Sequence, residues 1–480
     1  MKNEKTPKYL MILEVSQKQK YIFGSKRLRD NVERSLQVRE ATESSFFERE
    51  ASDLYNKGEN LVYTGGGHTV LQFDDRDKAK EFAKKVARAA IEKYRGIEVF
   101  VKIRDYDNEM TSGDNLNALT KALEKKKLLH KNGFCRCSIG IEELDTDNFV
   151  PVENTDDAKK SDGLDKDDPI EPTQKYSYAY EFEDIAKIGD DNFIAVVHID
   201  GNSMGKRAAR IQGEYTDWDK CRKGMYEFSK GIQKDFEDAF RETETEFIKK
   251  LKLEPGILPL RPIILAGDDV CFVTTGKYGL EAARIFLEKL KDGGRDYAAC
   301  AGVAIVHTKY PFHRAYELAE KLCLNAKKFG VSLDPDGGIS AMDWHIEFGQ
   351  LKGSLSEIRD EYETDDGNKL ELRPVTVIDH PTVQAPDYRK YDFVRNLADA
   401  MAREKKTIAR SKLKDLRNAM KQGTDETKFY LKQKEISEFI RPMLGGSTEV
   451  FANITIGGKA ETRCLLFDAL EISDHFEIIP

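Results

Sequence analysis

Two segments of this chain carry the same order of predicted elements, strand, helix, hairpin, helix, strand, and that internal repeat restricts the possible folds more than any other feature. In the first copy, residues 8–16 (KYLMILEVS) read as a strand and 26–52 as a helix. Residues 61–73 (LVYTGGGHTVLQF) read as two strands around a glycine turn, followed by a helix over 77–93 and a strand over 97–103. In the second copy, NFIAVVHID opens, a long charged helical region runs to about Lys252, and RPIILAGDDVCFV is the hairpin. A helix near 280–290, the strand YAACAGVAIVH and a helix over 313–329 complete it.

A βαββαβ order is the ferredoxin-like frame, shared by RNA-recognition modules and by the palm domains of polymerases and cyclases. The expected fold class is therefore α+β: two ferredoxin-like palm domains in tandem plus a C-terminal mainly helical domain. The first domain is expected over 1–144, a linker over 145–185, the second domain over 186–377 and the helical domain over 378–480. The segment DTDNFVPVENTDDAKKSDGLDKDDPIEPTQ has almost no large apolar residues, which is why the linker is placed there.

A hydrophobic content of 40% over 480 residues suffices for several cores, and 77 basic against 85 acidic side chains leave a net charge of −8. That balance excludes a mainly electrostatic nucleic-acid clamp. Seven cysteines without a C-x-x-C pair argue against a disulfide framework or a Cys-rich zinc module and suit a cytosolic protein. The first apolar run is short and broken by Glu14, so no signal peptide, membrane span or membrane partner is expected.

The chemistry concentrates in the second copy. Asp200 closes one strand, and Gly267-Asp268-Asp269 forms the following hairpin turn. In a βαββ unit the first and third strands are neighbours, so these carboxylates can converge, and hard divalent cations such as Mg²⁺ would relieve their repulsion. Taken alone, Gly-Asp-Asp is simply a good hairpin turn. Gly201, Asn202, Ser203, Met204 and Gly205 lead from strand to helix, where free amides favour a triphosphate; the plainer reading is a turn capped by Asn202 or Ser203. Lys327 could reach a phosphate, whereas Lys321, Lys327 and Lys328 could equally form a solvated face. In the first copy Gly65, Gly66, Gly67 and His68 replace the acidic turn, so two metals are not expected there. The glycines could let a nucleotide approach, or the hairpin is merely flexible with an exposed His68. Cys135 and Cys137 read as core residues, and His198 as a packed histidine.

The motifs HIDGNSMGK, ILAGDDVCFV, AGVAIVHTKYPF, YELAEKLCLNAKKFG and SAMDWHIEFG, in that order, resemble the second palm of the polymerase-cyclase large subunit of type III CRISPR effector complexes. YIFGSKRLRDNVERS and VYTGGGHTVLQF resemble that family's first, degenerate palm, and the likeness spans roughly residues 8–350. It implies a nucleotidyltransferase that joins ATP, or another nucleoside triphosphate, through 3′–5′ linkages into cyclic oligoadenylate, a defence second messenger. It further implies two Mg²⁺ or Mn²⁺ ions held by Asp200, the Gly201 carbonyl, Asp268 and Asp269, a phosphate contact from Lys327, and RNA or other effector subunits as partners. Ala266 stands where the family has the first glycine of GGDD. The sequence holds no His-Asp dipeptide, so the family's nuclease domain is not expected, and it shows no cysteine-rich zinc insertion, a separate departure that bears on membership of a full RNA-guided complex.

Two alternatives stay open: a catalytically silent palm protein that binds nucleotide or RNA as a regulator, and a structural subunit docking through its basic C-terminal region. RNA-recognition modules place aromatic residues where this chain has carboxylates, which disfavours the first. Arg403, Lys405, Lys406, Arg410, Lys412, Lys414, Arg417 and Lys421 form that basic stretch; with Ile408, Leu413 and Leu416 available for burial, it reads as an amphipathic helix with a solvated face, or as a contact for phosphates.

Overall fold

The computed structural model describes residues 6–129, 172, 175–189, 191–348, 354–403, 410–456 and 459–479. Cys135, Cys137, Lys405, Lys406, Ile408 and most of the expected linker lie outside the described residues. The chain divides into two compact units interleaved along the sequence. One comprises Met1–Glu171, Ser203–Asp238 and Pro262–Val270; the other comprises Pro172–Asn202, Ala239–Arg261 and Cys271–Pro480.

In the first unit, β1 (Tyr9–Ser16), β2 (Leu61–Gly65), β3 (His68–Phe73) and β4 (Glu98–Asp105) form a sheet of order β2-β3-β1-β4. β1 runs antiparallel to both β3 and β4, so the first strand lies between the third and the fourth. The helix Arg76–Lys93 begins where the Asp75 carboxylate accepts hydrogen bonds from the Asp77 and Lys78 amides, and it buries Ala79, Phe82, Val86 and Ala90 at spacings of three and four. The single helix expected over 26–52 is instead two, Leu28–Glu40 and Ser44–Glu50. Thr42 Oγ1 donates back to the Val38 and Arg39 carbonyls between them, the local competition that makes threonine a poor helix interior residue. Leu10, Ile12, Val62 and Val70 pack in one core with Leu116, Leu119 and Leu123 of the helix Ser112–Leu129, and with Trp218, Cys221 and Met225. The last three begin the apolar stripe of the long helix Trp218–Leu251.

The second sheet comprises β5 (Phe193–Gly201), β6 (Leu260–Ala266), β7 (Asp269–Thr275), β8 (Ala299–His307), β9 (Ser340–Glu347) and β10 (Val375–Ile378), in the order β10-β9-β8-β5-β7-β6. Here too the first strand of the copy lies between its third and fourth. β9, parallel to β8, and β10 extend the sheet beyond the expected repeat. The helix Phe312–Leu333 packs on β8 very closely: a Cβ at Gly302 would stand 1.9 Å from the Ala319 carbonyl oxygen. Residues 378–480 carry the expected helices, including Tyr391–Arg403, Arg410–Gln422, Thr424–Gln433, Ser437–Met443 and Phe467–Ile472. They also contain an antiparallel pair, β11 (Phe451–Ile456) and β12 (Lys459–Cys464), so this region is not purely helical. Among the described residues, no helix is long and apolar enough to cross a membrane.

Candidate active site

Within the second unit, β5 delivers Asp200 and Gly201 to its C-terminal end. Lys327, from the helix Phe312–Leu333, donates to both: its Nζ lies 2.6 Å from Asp200 Oδ2 and 2.9 Å from the Gly201 carbonyl oxygen. Burial opposes the lysine's charge, but the Asp200 carboxylate outweighs it and holds the Lys327 pKa above its ordinary value. Lys321 and Lys328, on the same helix, are exposed, as a solvated face would be. Asn202 is committed to the fold, its amide donating to the Ala298 carbonyl at 2.8 Å and its side chain to the Ile339 carbonyl at 2.8 Å. His198 is buried edge-on against Tyr316, with ring centroids 5.4 Å apart.

The donor set suits a hard cation. An ammonium already sits on one carboxylate oxygen and one carbonyl oxygen at the strand end, the oxygen types that Mg²⁺ and Mn²⁺ prefer. Among the described residues, no three His, Cys, Asp or Glu side chains are gathered closely enough to hold a metal by themselves. Water and substrate oxygens would have to complete the shell.

Within the first unit lies the β6–β7 hairpin turn. Its two-residue loop is Gly267-Asp268, and Gly267 has the positive φ, +70°, that such a tight turn demands. Ala266 is the last residue of β6 and outside the positive-φ positions, which is why alanine is accommodated there. Asp268 and Asp269 are both partly exposed. The loop is held from the long helix: Gln233 Oε1 accepts from the Gly267 amide at 2.6 Å, and Gln233 Nε2 donates to the Leu265 carbonyl at 3.0 Å. Ser203 precedes the helix Met204–Glu214 in the left-handed conformation, φ 58°, and makes no side-chain cap bond, while the Asn202 side chain donates to the Ile339 carbonyl instead. A Cβ at Gly205 would meet nothing within 4 Å, so that helix start is open to approach.

The first-copy hairpin belongs to the same unit. Gly66 and Gly67 are its two central residues, with φ of +58° and +77°, the type I′ signature. Ser229 Oγ donates to the Thr64 carbonyl, and Lys18 donates to the Gly66 carbonyl. A Cβ at Gly267 would come within 4.0 Å of the Gly66 nitrogen, so the two glycine turns face each other. Beside them is a cavity of about 490 Å³, lined among others by Lys18, Arg39, Gly65, Gly66, Gln233 and Asp269. His68 is not the exposed group expected from sequence. It is partly buried, edge-on to Tyr63, and burial, with Lys18 and Lys127 adding to it, depresses its pKa to about 4.

In the basic C-terminal stretch, Leu413, Leu416, Ala419 and Met420 are buried while Lys412, Lys414 and Lys421 are exposed, so the helix Arg410–Gln422 is amphipathic as expected. Arg417 lies over the Phe467 ring at 5.9 Å. Sequence reasoning missed Lys18, Arg39, Ser229 and Gln233. On helices of alternating polar and apolar character nothing distinguishes them from surface residues, because their partners are 32 to 198 positions away.

No protein-family model matches the sequence, and no curated protein matches it. Solved structures do. A Csm1-Csm4 cassette in complex with pppApApA superposes at a TM-score of 0.56 with 11% identity, covering 98% of this chain and 69% of that one. The cassette in complex with pppApA gives 0.56 and 12%, covering 98% and 70%. In the match to the cassette in complex with cA3, at a TM-score of 0.48 and 13% identity, 74% of this chain is covered and it spans only 56% of that chain's length. At such identities the likeness is one of fold.

Proposed function

We propose that this chain is a metal-dependent nucleotidyltransferase that joins nucleoside triphosphates, ATP foremost, through 3′–5′ linkages and closes them into cyclic oligoadenylate. The observation that carries this proposal is the pair of hard oxygens, the Asp200 carboxylate and the Gly201 carbonyl, already gathered round one cation at the end of β5. Further support comes from the acidic turn at Asp268-Asp269 and from the shared fold with cassettes whose bound molecules are pppApA and pppApApA. We read each four-strand repeat, with its first strand between the third and fourth, as a palm, the first degenerate and the second catalytic.

In the proposed reaction a ribose 3′-hydroxyl gives up its proton to solvent as its oxygen bonds to the α-phosphorus of a second triphosphate. The bond from that phosphorus to the bridging oxygen breaks, and pyrophosphate leaves with its electron pair. Asp200, Gly201, Asp268 and Asp269 would hold Mg²⁺ or Mn²⁺, which when bound lowers the pKa of the attacking hydroxyl and offsets charge on the leaving oxygens. Lys327 would carry positive charge toward a phosphate once a metal takes its place on Asp200. Met204 and Gly205, at an open helix start, would offer backbone amides to the triphosphate. Gly65 and Gly66 would line the nucleotide's path along the cavity. The chain is placed in the cytosol, consistent with five buried free cysteines among the described residues, and its partners are taken to be other effector subunits or RNA.

A second reading is a silent, nucleotide- or RNA-binding subunit. What favours it is the same lysine, whose ammonium already neutralises the two oxygens a metal would need. Incubation with Mg²⁺ or Mn²⁺ and each nucleoside triphosphate, with products identified by mass, separates the two.

A further inference from the structure

Resting on the nucleotidyltransferase proposal, we infer that Gln233 is a positioning residue that fixes the aim of Asp268 and Asp269 by clamping the β6–β7 turn at its β6 side, on either side of Ala266. It does so with both ends of one amide. Oε1 accepts from the Gly267 amide and Nε2 donates to the Leu265 carbonyl, which also fixes the side chain's orientation, because only the oxygen can meet an N–H. A two-residue turn usually leaves such groups to water. Here they are tied to a helix, so the turn cannot rock about its strands.

The clamp is itself held. Gln233 Nε2 lies 2.5 Å from Glu237 Oε1 one helical turn on, and Arg39 Nη1 of the helix Leu28–Glu40 donates to the same Glu237 oxygen at 3.1 Å. Arg39 is in turn fixed by Glu43, with Nε 2.7 Å from its carboxylate. A relay thus runs from the first-copy helix through Arg39, Glu237 and Gln233 to the acidic turn, all within the first unit. Ser229, four residues before Gln233 and on the same helix face, holds the Thr64 carbonyl of the other glycine turn. One face of the long helix therefore sets both hairpins.

Adjacent carboxylates repel and would splay if the turn were loose. Since groups that act in a reaction must be held within about half an ångström, such a brace matters for rate more than for affinity. Gln233→Ala should lower kcat about 30-fold or more while leaving KM for ATP within about twofold. It should also speed hydrogen exchange of the Gly267 amide about tenfold or more, measured on the full chain, with the exchange of β1 and β3 unchanged. Gln233→Glu keeps the acceptor but loses the donor and faces Glu237; adding Glu237→Gln returns a donor beside it, and that double variant should regain about fivefold or more over the single one.

Absence of product from the unsubstituted protein would overturn the nucleotidyltransferase proposal, while amide exchange would still read the clamp. With an active protein, unchanged Gly267 exchange in Gln233→Ala, or faster exchange at unchanged kcat, overturns the positioning role. So does a double variant no better than Gln233→Glu.

Discussion

Lys327 Nζ stands 2.6 Å from Asp200 Oδ2, so a positive charge already rests on the carboxylate proposed to bind metal. The pair is partly exposed, at 27% and 40% of the two side chains, and its net contribution to stability is therefore about 1 kcal/mol or less. Its consequence is competition: a divalent cation must displace the ammonium to gain both oxygens.

Lys327→Gln should accordingly raise Mn²⁺ affinity about three- to tenfold, measured by electron paramagnetic resonance on the protein without nucleotide, and shift the melting temperature little. Product formation should fall, since the charge proposed to reach a phosphate is lost. Unchanged Mn²⁺ affinity would mean that the lysine and the metal do not share a place.

Gly302 permits that pairing from beneath. Besides the Ala319 oxygen, a Cβ there would meet the Cys323 nitrogen at 2.3 Å, and both are backbone atoms of the helix that carries Lys327. Gly302→Ala must push the helix off β8 and should destabilise the protein by about 3 kcal/mol, read by denaturant unfolding. A loss below about 1 kcal/mol would show that the helix shifts freely.

Glu244 supplies a pH test. It is buried, the Tyr178 hydroxyl donates to it, and Arg241 Nη1 lies 3.5 Å away. Burial outweighs both partners and pushes its pKa from 4.5 up to about 7. The folded state thus keeps a proton that the unfolded state releases, so this contribution is complete below about pH 4.5 and is lost as pH rises through about 7, with an amplitude of about 3 kcal/mol. Glu244→Gln should flatten the fall in stability across that window, measured by unfolding at a series of pH values. An unchanged slope would assign the titration to another group.

The strands of both repeats were legible because β-branched runs end at glycine turns, and Gly66, Gly67 and Gly267 take the positive φ those turns require. β9 was not legible as a strand. Its sequence, SAMDWHIE, places Asp343, His345 and Glu347 in the buried interior, which no alternation rule anticipates. Asp343 is tolerated there because Arg359 and Asn325 bond its two oxygens at 2.6 and 2.7 Å, partners fixed only by the tertiary fold. The site divides in the same way. Residue type and order nominate Asp200, Asp268, Asp269 and Lys327 as candidates, and the structure adds that Lys327 bonds Asp200, whereas nothing nominates Gln233, since a glutamine on a long charged helix carries no mark of the turn it holds 32 to 34 residues away.

The central claim is nucleotidyl transfer at the acidic turn, and it is tested most directly by mass analysis of products from ATP with Mg²⁺ or Mn²⁺, comparing the protein with its Asp268→Ala, Asp269→Ala double variant. Cyclic oligoadenylate and pyrophosphate from the unsubstituted protein, with at least about a hundredfold loss in a folded double variant, is the expected result. Equal product from both, or none from any nucleoside triphosphate with or without RNA, would contradict it.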